Sequence, residues 1–274
     1  MSRLDEEVLR QCIHADTEQK LHELQLFAEI DSTNTYLMQV PAPPTGCIRV
    51  AIADHQTAGR GRRNRRWQSP AGAGLWMSCA YTFAKPPRNL PALTLALGIG
   101  AIEALQKLGI EGVMLKWPND LVLNDAKLGG ILTEAQQQGD TDLAVIAGLG
   151  LNLDMPADIE IGGDSEWSGR VASLVQAASE LGTPEALAAV IIDGMCASFV
   201  QYEQEGFAAF ADRWPATDWL AGRELSVDTG EQVLQGEGSG IADDGALLIT
   251  SSDGATARVV SGSIVLRESI ETTL

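Results

Sequence analysis

The chain has 274 residues, 45% of them apolar and 20% charged, which suits one large domain with a small satellite better than several equal units. Acidic residues outnumber basic ones 37 to 19, giving a formal net charge of −18; so acidic a surface repels phosphate backbones and disfavours nucleic acid as a partner. The start, Met1-Ser2-Arg3-Leu4-Asp5-Glu6-Glu7, has no apolar core behind a basic head, and no window approaches about 18 consecutive apolar residues, so a cytoplasmic protein with no membrane partner is expected.

Residues 1–25 are polar with a weak helical pattern and no identifiable chemistry. Leu26 to Ile30 reads as a short strand. Asp31-Ser32-Thr33-Asn34 then caps a helix beginning near Thr35, which Pro41-Ala42-Pro43-Pro44 ends. Ile48 to Ala53 and Leu75 to Tyr81 are strands, and Pro91 to Leu108 is a buried helix with proline near its start. Short strands follow at Val113 to Lys116 and Asp120 to Leu123. Asn124-Asp125 is a two-residue turn into a strand from Ala126 to Glu134. Leu143 to Leu153 is an apolar strand interrupted by Gly148 and Gly150, and Pro184 to Phe210 a long helical segment. Past Trp214-Pro215 come short β-type runs divided by Asp-Thr-Gly, Asp-Asp-Gly and Ser-Asp-Gly turns, which predicts a small β-barrel over 219–274. The fold class is therefore α+β, with a polar segment at 1–25, a catalytic domain at 26–218 and the barrel at 219–274. Cys12, Cys47, Cys79 and Cys196 form no CxxC pair and His14, His22 and His55 have no ligand spacing; reduced structural thiols and no metal site are expected.

Five of the 19 basic residues, Arg60, Arg62, Arg63, Arg65 and Arg66, fall within seven positions of this acidic chain. Behind a strand, Gly59-Arg60-Gly61-Arg62-Arg63 joins close backbone approach at the glycines to forked guanidinium donors, the materials of an anion-binding loop. A solvated basic loop is the plain alternative. A second cluster is Lys116-Trp117-Pro118-Asn119-Asp120, with Lys127 seven positions on. If Asn124-Asp125 closes a hairpin, Leu123 pairs with Ala126 and Val122 with Lys127. Alternation then sets Asp120, Val122, Lys127 and Gly129 on one face, a lysine and a carboxylate beside room for a ligand. Asp120 would orient Lys127 or a magnesium-bound water, and Lys116 would offer phosphate a second cation. Trp117 is either a core aromatic or a stacking partner.

Together, Gln56-Thr57-Ala58-Gly59-Arg60-Gly61-Arg62-Arg63 ending in Trp67, and Lys116 to Asp120, closely resemble the signatures of biotin–protein ligases. The resemblance runs over roughly residues 26–270. It implies a mixed-sheet catalytic domain of the biotin/lipoate ligase type, class II synthetase-like, with an SH3-like C-terminal barrel. It also implies that Arg60 and Arg62 hold biotin and the biotinoyl-AMP phosphate, that Gln56 and Gly59 line the biotin pocket, and that Lys127 is the active-site lysine. Arg63, Lys116, Trp117, Asn119 and Gly130 are carried over as ligand-contacting positions. Ser32, Thr33 and Asn34 match the family's Ser-Thr-Asn element, and Gly148-Leu149-Gly150-Leu151-Asn152 its Gly-x-Gly-x-Asn strand. A helix cap and a bulged core strand are their plain readings. Asn64 stands where the family usually has glycine; asparagine tolerates a left-handed backbone, so the loop shape is expected to survive.

The implied activity is ATP-dependent activation of biotin, with magnesium as the ATP complex, and transfer to a lysine of a biotin carboxyl carrier protein. Monomer and homodimer both remain open. A lipoate- or octanoate-transferring enzyme is the first rival, which the Arg-rich loop and the Lys116–Asp120 run disfavour. A biotin-responsive repressor is the second: the roughly 25 residues ahead of the catalytic domain are too few for a three-helix DNA-binding unit.

Overall fold

The computed structural model describes residues 3–87, 89–138, 142–156, 167, 170–178 and 181–266. In chain order the elements are α1 (Glu6–Cys12), α2 (Ala15–Glu18), β1 (Leu21–Ile30), α3 (Thr33–Gln39), β2 (Ile48–Gln56), β3 (Gly74–Phe83) and α4 (Leu90–Lys107). After them come β4 (Met114–Lys116), β5 (Asp120–Leu123), β6 (Ala126–Gln138), β7 (Asp142–Asn152), α5 (Pro184–Glu205), α6 (Ala208–Ala211) and α7 (Trp214–Thr217). The C-terminal unit holds β8 (Glu224–Asp228), β9 (Val233–Ile241), β10 (Leu247–Thr250), β11 (Thr256–Val259) and β12 (Ser263–Leu266).

A seven-stranded sheet in the order β1-β2-β3-β7-β6-β5-β4 forms the larger domain. β1 runs parallel to β2 and every other pair is antiparallel, so the sheet is mixed. Alternation sorts its residues by face. Val50, Ile52, Met77, Cys79 and Tyr81 join the main core with α4 and α5, while Ala51, Ala80 and Ile146 pack with Leu37 of α3. Thirteen residues of α4 are buried because the helix packs against both the sheet and α5. The two helices approach closely where glycine meets glycine: a Cβ on Gly194 would stand 2.6 Å from the Gly100 carbonyl oxygen. By length and composition α5 could cross a membrane, but 56% of its apolar window is buried inside this fold, as in a core helix.

β1 starts at Leu21, five residues before the expected Leu26, because pairing with β2 extends it backwards. The segment ahead of it folds into α1 and α2, both against α5. The long C-terminal helical segment breaks at Gly206, whose φ of 68° ends α5. Burial pushes the Cys79 thiol far up and the Cys196 thiol to about 11, so both are protonated and inert at neutral pH.

The small unit is a five-stranded antiparallel sheet in the order β11-β10-β9-β8-β12. Its entry point is fixed by Asp218, which is buried and whose carboxyl is raised by desolvation. It accepts from Leu220 N at 2.9 Å and Trp214 Nε1 at 3.0 Å, while Trp219 N donates to Leu115 O of β4 at 3.1 Å. Asp218→Ala leaves two buried donors unmet and should lower unfolding stability by about 1–3 kcal/mol. Urea denaturation checks this, and an unchanged midpoint would remove Asp218 as the anchor of the connection.

Candidate active site

The floor of the main cleft is the β5–β6 hairpin. Asn124 and Asp125 have φ of 51° and 56°, the left-handed pair that a tight hairpin turn needs, and Val122 pairs with Lys127 and Leu123 with Ala126 as expected. A bulge then intervenes, so that Leu121 faces Gly129 and Asp120 faces Gly130. The extra residue exchanges the two glycines: Gly130, rather than Gly129, lines the cleft with Asp120 and Lys127. A Cβ on Gly129 would instead lie 2.5 Å from the Gly150 carbonyl oxygen.

Lys127 Nζ lies 3.0 Å from Asp120 Oδ1, with the side chains 9% and 10% exposed. The other Asp120 oxygen accepts from Trp167 Nε1 at 2.8 Å. Asn152 Nδ2 donates to Lys127 O at 3.2 Å and to Ala172 O at 3.1 Å. Asn152 thus holds the backbone under the lysine and does not line the cleft.

One wall is a continuous polar chain. Ser69 Oγ accepts from Gln56 Nε2 at 2.9 Å, and Gln56 Oε1 accepts from Thr33 N at 2.9 Å. Thr33 Oγ1 meets Ser78 Oγ at 2.7 Å, and Ser78 Oγ donates to Asn34 Oδ1 at 2.5 Å. Asn34 Nδ2 donates to Glu134 Oε2 at 2.9 Å and to Leu132 O at 3.3 Å. Ser32 caps α3, accepting from Thr35 N at 3.4 Å, and lines the cleft as well. The glycines of β7 make room for protein side chains. A Cβ on Gly148 would lie 2.2 Å from Asn34 Oδ1, and one on Gly150 2.5 Å from the Trp67 ring.

The roof is the arginine loop. Gly61 N donates to Arg65 O at 2.8 Å and Trp67 N to Gly59 O at 2.9 Å, which pinches the loop into a hairpin. Gly59 sits at its base, where a Cβ would meet the Trp67 carbonyl oxygen at 2.6 Å, and stands outside the main cleft lining. The left-handed residue is Arg63, with φ 56°, rather than Asn64. Arg60 pairs with Glu134, Arg62 donates to Asn119 Oδ1 at 3.1 Å, and Arg63 donates to Ser263 Oγ of the barrel. Trp67 closes the inner end, its ring 5.5 Å from Lys127 Nζ.

Lys116 and Trp117 point elsewhere. Lys116 is buried, with Nζ 4.3 Å from the centre of the Trp167 ring and 5.9 Å from that of Trp219, and it donates to Ile264 O of β12 at 3.5 Å. Trp117 Nε1 donates to Gly245 O at 2.8 Å. Both residues face the barrel, whose Gly262 and Ile264 complete the cleft. Ser78, Glu134 and Trp167 belong to the site without having been expected. Ser78 sits in an apolar strand and Glu134 at the end of one. Trp167 lies between the strand ending at Leu153 and the helix starting at Pro184, a stretch whose sequence carries no motif.

Described in these terms, the molecule is an activating-ligase type: a mixed sheet carrying a lysine–carboxylate floor under a cationic loop, closed at one side by a small β-unit. Residues 26–152 match the biotin/lipoate A/B protein ligase family and residues 221–267 the biotin protein ligase C-terminal domain. The chain is 36% identical over 239 residues to the bifunctional ligase/repressor BirA of Escherichia coli, covering 87% of this chain and 72% of that protein. It is 30% identical to the biotin–[acetyl-CoA-carboxylase] ligase of Paracoccus denitrificans, covering 84% and 95%. The biotin protein ligase of Aquifex aeolicus in complex with biotin and ATP superposes with a TM-score of 0.73 at 27% identity, over 90% of this chain and 100% of that one. The chain belongs to the biotin protein ligase family.

Gly148→Ala should cost about 1–3 kcal/mol by overpacking against the Asn34 amide. In an Asn34→Ala background the same change should cost little. Denaturant midpoints of the four proteins check this, and equal costs in both backgrounds would show that Asn34 is not what Gly148 accommodates.

Proposed function

We propose that the chain activates biotin with ATP and passes it to a lysine of a biotin carboxyl carrier unit of a carboxylase. The observation that carries this reading is the buried Lys127–Asp120 pair facing a cleft roofed by arginines. In the first step a biotin carboxylate oxygen attacks the α-phosphorus of ATP, which enters as its magnesium complex. A P–O bond forms, the bond to the bridging oxygen breaks, and pyrophosphate leaves with the electron pair. In the second step the acceptor amine attacks the carbonyl of biotinoyl-AMP. An amide forms, AMP departs with the electrons of the cleaved bond, and the amine loses its proton.

Each step moves negative charge near a position Lys127 can reach, so its ammonium stabilises the transition state more than the ground state. Asp120, 3.0 Å from Lys127 Nζ, keeps that ammonium aimed. Arg62, held by Asn119, is placed to receive the phosphate, with Arg60 and Arg63 beside it. Thr33, Gln56, Ser78 and Asn34 supply the polar wall for biotin's ureido group. Lys116 and Trp117 act through the barrel, and Gly130, Gly148 and Gly150 through close approach. The setting is cytoplasmic, where the four free cysteines stay reduced.

Biotin-dependent pyrophosphate release from ATP, run beside lipoate, tests the activity; release with lipoate and none with biotin would overturn it. Lys127→Ala should cut the rate about a hundredfold or more while the protein stays folded. Arg62→Gly removes a phosphate contact and adds freedom to the loop, so adenylate should escape about ten- to a hundredfold faster. Biotin attached to an added bystander protein such as serum albumin reads that escape. Unchanged bystander labelling in a variant that still makes adenylate would free Arg62 of the retention role.

A further inference from the structure

Glu134 lies two strand positions beyond Leu132 on the cleft side of β6, opposite Ile146 of β7. It is bound from two directions. Asn34 Nδ2, at the start of α3, donates to Glu134 Oε2 at 2.9 Å, and the Arg60 guanidinium pairs with that same oxygen. One carboxylate oxygen thus joins the roof loop to the wall of the pocket. The Asn34 amide is fixed further by Ser78 Oγ, which donates to its Oδ1, and by Leu132 O, which accepts from its Nδ2. Glu134 is also among the residues bordering the outer cleft beneath Thr57–Arg66.

We propose that Glu134 is a positioning residue that latches the arginine loop over the pocket through Arg60 and couples that closure to the Asn34 side of the wall. The proposal rests on the biotin-activating function above. Arg60 and Glu134 are 41% and 25% exposed, so solvent and ions reach the pair. The latch is therefore weak enough to open on each turnover and is screened by salt. When the loop opens, Arg60 leaves and Asn34 stays bound to Leu132 O. The wall keeps its shape while the roof lifts.

The test uses Glu134→Gln, which preserves size and an acceptor for Asn34 while removing the charge, together with Arg60→Gln and the double variant. Escaped adenylate is measured as bystander labelling per pyrophosphate released. Glu134→Gln should raise this ratio about two- to fivefold, the scale of a partly exposed ion pair. The double variant should be no leakier than the worse single variant, because both changes cut one interaction. Raising salt should increase leakage more in the parent protein than in Glu134→Gln, a difference that a purely structural role would not give. Biotin-dependent pyrophosphate release in each variant reports the underlying activity separately, and thermal melting reports folding. If Glu134→Gln is folded and active but leaks no more than the parent, or if the two single effects add, the latch does not exist. Should Glu134→Gln fail to fold, the parent's salt response and Arg60→Gln still decide it: leakage indifferent to salt overturns the proposal.

Discussion

The pairing of Lys127 with Asp120 constrains everything built around it. Both side chains are almost wholly buried, and removing two charges from water costs several kcal/mol per ion before their attraction is counted. That attraction offsets the cost only when geometry is good and the remaining lone pairs are satisfied. Trp167 satisfies the second Asp120 oxygen, and Asn152 together with the backbone around Arg170 and Ala172 pins the chain beneath Lys127. Replacing a buried ion pair by apolar residues of similar size is often neutral or stabilising, so burial of these two charges is not in itself a source of stability. What the pair adds is a desolvated lysine head held beside the cleft by its carboxylate partner.

A chain of net charge −18 can still hold anions, because distant and local charges act over different ranges. Beyond a Debye length of about 8 Å at physiological ionic strength, the exposed acidic groups are screened. Within the cleft, arginines of one short loop and a buried lysine line the same space, and low-dielectric walls weaken their screening. Local charge wins over the global balance. Glu134 pairs with Arg60 and Asn119 accepts from Arg62, so two of the cations are drawn to the cleft by neighbours on its own wall.

Most of this architecture was legible because it is local. The Asn124-Asp125 turn fixes the pairing of Val122 with Lys127, and the alternation of β6 follows from it. The bulge after Lys127 was not legible, since Leu128 is an ordinary strand residue and the extra position is set by how β6 meets both neighbours. The glycines of β7 were readable as places where something approaches closely. That the visitors are Asn34 and Trp67, more than 80 residues away in the chain, depends on the assembled sheet. The destinations of Lys116 and Trp117 were hidden for the same reason: Ile264 and Gly245 come from a unit folded later in the sequence. β1 likewise gained its first five residues from a long-range parallel partner.

The Lys116–Asp120 run therefore serves two faces of the molecule at once. Asp120 turns toward the cleft and holds the lysine, while Lys116 and Trp117 turn toward the barrel and hold it through Ile264 O and Gly245 O. Gly245, with φ 81°, also presses against the start of α4, where a Cβ would come within 2.8 Å of Ala92 N, so the barrel turn admits no larger residue. Trp167 links the two faces directly: its Nε1 donates to Asp120 and its ring carries the Lys116 ammonium. A displacement of the barrel that moved Lys116 would be felt at Trp167 and so at the carboxylate that aims Lys127. Gly262 and Ile264 of the small unit also border the cleft, so that unit meets the floor both through Trp167 and along the cleft's own edge.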